Sequence, residues 1–178
     1  NPPFLGSKLF RKWGLTDEYL KALYAAYDLP KTSDLCCYWF ELARHVIEKA
    51  SNVRTPQRAG SVSDRSKNRK PPHTPAAPQP LPHGRGSSGQ GPRVGLLATQ
   101  GIRGGDNRTV LERIKQAGDI FMAWSDREWI LDGAAVHVSM IVFDYGTEKT
   151  RTLDGRAAER INADLTAIGD GSEPRALS

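Results

Sequence analysis

The sequence predicts an α/β domain split by a disordered segment, and three observations carry that prediction. Apolar residues recur with helical spacing before residue 52 and again from 108 to 117. Short apolar or alternating runs with strand character stand at "VGLLATQ", "DIFMAWS" and "AVHVSMIVFDYG". Between the two halves lies a stretch with neither pattern. The order helix–strand–helix–strand–strand is that of the back half of an α/β sheet. At 178 residues, with 38% hydrophobic and 25% charged residues, the chain is long enough for one ordinary domain with a core.

The chain opens "NPPFLGSKLFRKWG". Proline lacks an N–H, has a fixed φ and pushes the residue before it out of the helical region, so this start is an extended loop. In "TDEYLKALYAAYDL", Thr16 caps a helix at Tyr19 with acidic residues in the first turn, and Leu20, Leu23, Tyr24 and Tyr27 share its apolar face. "SDLCCYWFELARHVIEKA" is a second helix starting at Ser33 or Asp34, with Leu35, Tyr38, Trp39, Leu42, Val46 and Ile47 on one broad apolar face. "VGLLATQ" fits a strand buried on both faces. "GIRGGDN" follows as a loop, and "RTVLERIKQAG" is a helix closed by Gly118 with Lys115 in its last turn. The two later strands are joined by "DREWILDGA". The second of them alternates, with Val136, Val138, Met140 and Val142 on one side and His137, Ser139, Ile141 and Phe143 on the other.

Composition narrows the function. No run reaches the length of a spanning helix, because "ILDGAAVHVSMIVF" is broken by Asp132 and His137. No basic segment followed by an apolar one stands at the start, so no secretory signal is read. The adjacent Cys36 and Cys37 suit neither an ordinary disulfide nor a zinc site; they read as reduced, buried small hydrophobes of a cytoplasmic protein. The net charge of +5 and pI of about 9.4 are unevenly placed. Residues 52–93 hold eight Lys or Arg against Asp64 alone, and eight of the 12 prolines. That stretch cannot bury enough to offset its ordering entropy and is expected to be disordered. The rest is slightly acidic, so global charge does not point to nucleic acid.

Several constellations offer chemistry. "GIRGG" between a strand and a helix could cradle a phosphate in a nucleotide-binding Rossmann-type module, but it lacks the full G-x-G-x-x-G spacing and also reads as a turn. Glu41, His45 and Glu48 share a helical face, which suits surface pairing better than a metal; no metal site is assigned. Asp126 and Asp132, flanking Trp129, read as turn and packing residues. Lys8, Arg11, Lys12 and Arg103 are candidate phosphate contacts.

An α/β chain that begins "NPPF" and continues through "DLCCYWFELA", "GLLATQGIRGG" and "AVHVSMIVF" resembles the MmeI-like adenine-specific DNA methyltransferases, over nearly all of its length except the insert and about the last dozen residues. The resemblance implies the second half of a class I, Rossmann-like methyltransferase sheet. It implies a catalytic loop at Asn1, Pro2, Pro3 and Phe4, S-adenosylmethionine as cofactor, and double-stranded DNA as partner in a type II restriction–modification system. Residues 1–51 then hold the loop and following helices, 52–93 the insert, 94–168 the remaining strands and helices, and 169–178 a flexible tail. In such a site the Asn1 side-chain oxygen and the Pro2 carbonyl accept the N–H bonds of the target amine, Pro3 stiffens the loop, and Phe4 stacks on the extruded base. DNA contacts are expected at Lys8, Arg11 and Arg103. The family's donor-binding glycine loop and its target recognition domain are not in this sequence. Its N-terminal half of the catalytic domain is therefore an expected partner, and an inactive remnant is the rival reading.

Overall fold

The structure is a computed structural model that describes residues 3–52, 91–131 and 134–170; Asn1 and Pro2 of the expected catalytic loop, Asp132, most of the insert and most of the expected tail lie outside these. Three helices, α1 (Asp17–Ala26), α2 (Leu35–Asn52) and α3 (Arg108–Ala117), accompany six strands, β1 (Arg93–Thr99), β2 (Asp119–Leu131), β3 (Ala134–Asp144), β4 (Arg151–Leu153), β5 (Arg156–Ile161) and β6 (Ala167–Asp170). The strands form one sheet in the order β1-β3-β2-β4-β5-β6, antiparallel throughout except for β2 with β4. The chain is thus a mixed α/β fold, as expected.

Helix ends follow the expected chemistry. The Tyr19 N–H donates to Thr16 Oγ1 at 3.2 Å at the start of α1. At the end of α3 the Gly118 N–H donates to the Ile114 carbonyl at 2.8 Å. A Cβ at Gly118 would lie 2.1 Å from the Asp144 carbonyl oxygen, so the close approach of α3 to the end of β3 requires glycine there.

The core lies between α2, α3 and one face of the sheet. Cys36, Cys37, Phe40 and Ile47 of α2 and Val110, Leu111 and Ile114 of α3 pack with Ala98, Ile120, Ala123, Ile141 and Phe143. Phe40 and Phe143 stack with ring centroids 6.2 Å apart. Two expectations are corrected here. The α2 stripe is not one buried face: Tyr38 and Ile47 are buried, whereas Trp39, Leu42 and Val46 stand exposed on the outer side. Likewise β1 is buried on one face only. Val94, Leu96 and Ala98 face the helices, while Gly95 and Leu97 lie opposite, where no described helix packs. Its outer edge has no strand partner among the described residues.

The segment "DREWILDGA" is not a loop. β2 continues to Leu131 and β3 begins at Ala134, paired from Arg127↔Val138 to Leu131↔Ala134. A bulge between Trp124 and Arg127 places Ser125 and Asp126 opposite the single Ser139 and resets the register. Periodicity does not reveal strands β4–β6; β4 and β5 turn at Asp154 and Gly155, both with positive φ, as a two-residue hairpin demands.

Charges fasten the helices. Glu41 is fully buried, not on the surface as expected, and accepts from Arg44 Nη2 at 2.8 Å and Arg113 Nε at 3.0 Å, with His45 Nε2 3.3 Å away. Arg44 also reaches Glu48 at 3.0 Å. Asp119 pairs with Lys115 and accepts from Arg151 Nε at 2.6 Å, tying α3, β2 and β4. Burial pushes both carboxyls up, but the hydrogen bonds from their cationic partners outweigh it and hold both below the ordinary carboxylate range. A depressed folded-state pKa stabilises above the unfolded value and is lost as pH falls through the folded one. Urea midpoints are therefore expected to be flat near neutrality and to drop below about pH 4. Glu41→Gln is expected to lose about 3–5 kcal/mol at pH 7 by leaving two guanidinium groups short of their partner, and to show a shallower acid slope. Equal acid slopes in variant and parent would remove Glu41 from this account.

Candidate functional site

The opening loop is drawn to the C-terminal end of β1, where α/β sheets place ligands. The Leu5 N–H donates to the Pro3 carbonyl at 3.0 Å, a three-residue turn with Phe4 at its tip. Pro3 is exposed and Phe4 half-buried. The next residues are bonded to the chain just before α2: the Leu35 N–H donates to the Leu5 carbonyl at 2.9 Å, and the Ser7 N–H to Asp34 Oδ1 at 3.1 Å. Asp34, expected as a helix cap, faces these loops instead.

The "GIRGGDN" loop holds the other side of the same junction. The Asp34 N–H donates to Asn107 Oδ1 at 2.7 Å, and Asn107 Nδ2 donates back to Asp34 Oδ2 at 2.8 Å. An amide side chain is required here because it accepts and donates at once, which a carboxylate cannot do. The Cys37 thiol adds a weak bond to Asn107 Oδ1 at 3.4 Å, the Ser33 hydroxyl donates to the Asp106 carbonyl at 3.3 Å, and Thr32 bonds the Asp106 carboxylate. Beneath, Ile102 is fully buried. Gly105 has φ of +54°, so a side chain there would be strained.

This loop does not form the phosphate cradle weighed from the sequence. It folds into two short 3₁₀ turns, with the Gly104 N–H bonded to the Gly101 carbonyl and the Arg108 N–H to the Gly104 carbonyl, and it carries the Asp106 carboxylate. Those two amides are spent within the turns.

The third wall is the β2–β3 hairpin. Thr99, the last residue of β1, pairs with Val138, and beyond that point β2 and β3 run on as a two-stranded arm. Its outer residues include Trp129, 41% exposed, and Ile130, 75% exposed. On β2 before the arm, Arg127 lies over the Trp124 ring, 3.8 Å from its centroid. Arg103 of the loop donates to Gln100 Oε1 at 3.1 Å and lies 3.8 Å from Asp126. His137 Nδ1 meets Asp126 Oδ1 at 2.6 Å.

The residues assigned from sequence therefore divide. Phe4 and Arg103 belong to elements that meet at this end of the sheet, through the Asp34–Asn107 pair. Lys8 is exposed beside the loop, while Arg11 is paired with Asp17 at 2.8 Å. Asp126 is bonded to His137 rather than being a plain turn residue. Sequence reasoning missed Asp34, Asn107 and His137 as members of this site; the Asp-Gly dipeptide at 132–133, a hairpin signal, would have found the arm.

No family model matches the sequence, and no curated protein does. Among solved structures the chain is similar to the type IIL restriction-modification enzyme MmeI, whose structure is in complex with DNA, with a TM-score of 0.59. The two share a fold. Identity is 19%, over 96% of this chain and 19% of MmeI, so the chain spans about a fifth of that enzyme's length. Within the described residues no helix is long and apolar enough to cross a membrane.

The pairing at the junction is open to a direct measurement. Asn107→Asp replaces a donor by a second carboxylate against Asp34 and is expected to lower stability by about 2–3 kcal/mol, whereas Asn107→Ala costs about 1–2 kcal/mol. Denaturation at pH 7 would give both values. An Asn107→Asp variant as stable as the parent would mean that the junction does not depend on this reciprocal pair.

Proposed function

We propose that this chain is part of a site-specific DNA methyltransferase that transfers a methyl group from S-adenosylmethionine to the exocyclic amine of a flipped-out adenine, in a type II restriction–modification system. The observation that carries the reading is the placement of the loop after the Asn-Pro-Pro-Phe start at the ligand-binding end of a sheet whose fold is shared with MmeI.

The chemistry assigns separate tasks. The lone pair of adenine's amine is delocalised into the ring, so the nitrogen becomes nucleophilic only as it pyramidalises. Acceptance of its two N–H bonds by the Asn1 side chain and the Pro2 carbonyl stabilises charge developing on nitrogen and turns the lone pair outward. Asn accepts without bringing a charge into a desolvated pocket. Phe4 offers a stacking face to the extruded base. Lys8, Arg11 and Arg103 are the candidate phosphate contacts, of which Lys8 is exposed, Arg11 is engaged by Asp17, and Arg103 bonds Gln100 and faces Asp126.

The methyl donor does not fit the residues described. The one glycine-rich loop has its amides at Gly104 and Arg108 bonded internally and its acidic side chains turned to Thr32 and Asp34. The donor site then belongs to further polypeptide, the N-terminal half of the catalytic domain. The free edge of β1, the bare sheet face at Leu97 and the exposed Trp39, Leu42 and Val46 of α2 are surfaces that such a half would cover. The internal bonding of the glycine loop also takes support from the nucleotide-binding alternative.

In the full-length gene product, Asn1→Ala is expected to lower kcat for methylation of an adenine-containing duplex by about 10²–10³, with donor affinity nearly unchanged. Transfer from labelled donor measures it, and a variant within a few fold of the parent would sink the assignment. Phe4→Ala is expected to weaken productive capture of the base by about 1–3 kcal/mol, and Phe4→Trp far less. The 178-residue chain alone is expected to give no saturable heat with S-adenosylmethionine in a calorimetric titration. Micromolar binding there would place the donor site among these residues instead.

A further inference from the structure

Past Thr99 the β2–β3 arm has lost its β1 neighbour, and a two-stranded ribbon is marginal in water. Yet it holds Trp129 and Ile130 outward. The bulge at its root shows what steadies it. Ser125, the first bulged residue, is pinned from two sides: its N–H and hydroxyl both donate to the Asp154 carboxylate at 2.7 Å, and its carbonyl accepts from the Ser139 hydroxyl at 2.7 Å. With Ser125 fixed, the extra residue re-aims Asp126 out of the ladder.

Asp126 then meets one group from each of two other elements. A carboxylate only accepts, so the proton of the 2.6 Å contact sits on His137 Nδ1, which leaves Nε2 unengaged on a side chain 56% exposed. On its other oxygen Asp126 faces the Arg103 guanidinium at 3.8 Å, itself held by Gln100. Glu128, opposite His137 in the β2–β3 register, is exposed and is not bonded to either group.

We infer that Asp126 is a positioning residue that latches the hairpin arm to the Gln100–Arg103 turn through His137 and Arg103, and so fixes the angle at which the arm stands to that turn. The consequence for base capture rests on the function proposed above; the latch itself does not. An alternating strand needs no bulge to pair, whereas a wall that must stand at one angle to a neighbouring loop needs a contact off the ladder. Asp126 supplies that contact.

Two measurements on the full-length gene product separate these levels. In hydrogen exchange, Asp126→Ala is expected to speed exchange of the arm amides at 127–138 by about five- to tenfold and to leave 119–123 and 141–144 unchanged. Asp126→Asn, which still accepts from His137 but gives up the charge that faces Arg103, is expected to lie between Asp126→Ala and the parent. Unchanged arm exchange in Asp126→Ala, or acceleration shared equally with the core strands, would overturn the latch. In methylation assays Asp126→Ala is expected to raise KM for duplex DNA several fold with the donor KM unmoved, and to reduce the fluorescence gain of 2-aminopurine placed at the target base. Normal exchange changes without methylation by the parent protein would refute the proposed function and leave the latch standing.

Discussion

The reciprocal bonds between Asp34 and Asn107 are the constraint on which the rest of the site depends. These residues are 73 apart in sequence, yet one side-chain amide satisfies both a backbone N–H and a carboxylate oxygen, at 2.7 and 2.8 Å. The remaining oxygen of the same carboxylate takes the Ser7 N–H. A single carboxylate thus fastens the opening loop to the glycine-rich loop, and bonds to an ionised acceptor are stronger than neutral ones. Without it the opening loop would be joined to the chain before α2 by the Leu35 N–H to Leu5 carbonyl bond and the Ser7 hydroxyl to Thr32 carbonyl bond, and would have no tie to the glycine-rich loop through Asp34.

The domain is fastened differently at its two ends. At the far end from the site, ion pairs dominate: Asp119 with Lys115 and Arg151, and Arg93 with Glu148 at 2.6 Å. Between the ends, Glu41 joins α2 to α3 through two arginines. A buried carboxylate is a poor source of net stability, but its loss strands two cations, so it fixes how the helices meet. At the junction of the opening and glycine-rich loops the fastenings are amide, hydroxyl and backbone groups that donate to the carboxylates of Asp34 and Asp106, so bond direction rather than ion pairing holds the loops together.

Much of this was legible in the residues, for physical reasons that also mark the limits. Thr16 and Gly118 announce helix ends because capping chemistry is local. The helical moment of α2 misleads because the helix is apolar on two sides. Trp39, Leu42 and Val46 obey the period as well as Phe40 and Ile47 do, and periodicity cannot say which stripe meets the sheet. The arm was hidden by its bulge, since one extra residue shifts every side chain beyond it to the other face. In "RAAERI" of β5, residues of helical preference form a strand because the Asp154–Gly155 turn folds it back on β4. Asp34 and Asn107 gave no signal, for a partner 73 residues away is set by topology alone.

Topology also explains how the chain can carry a long proline-rich, basic insertion. Its two attachment points are the end of α2 at Asn52 and the start of β1 at Arg93. Arg93 pairs with Asp144, at the end of the sheet opposite Thr99, and Ile47 in the last turns of α2 packs beside Gly118 and Asp144 at that same end. Both attachments are therefore remote from Asp34 and Asn107. The closure cost of a loop depends on its length only logarithmically, so tripling it adds about 1 kcal/mol. That cost falls on the join between α2 and β1, where Ile47, Phe40 and Phe143 already hold the elements together. Length and composition can change at 52–93 without pulling on the junction that presents Phe4, which separates the constraint on the site from the freedom of the insert.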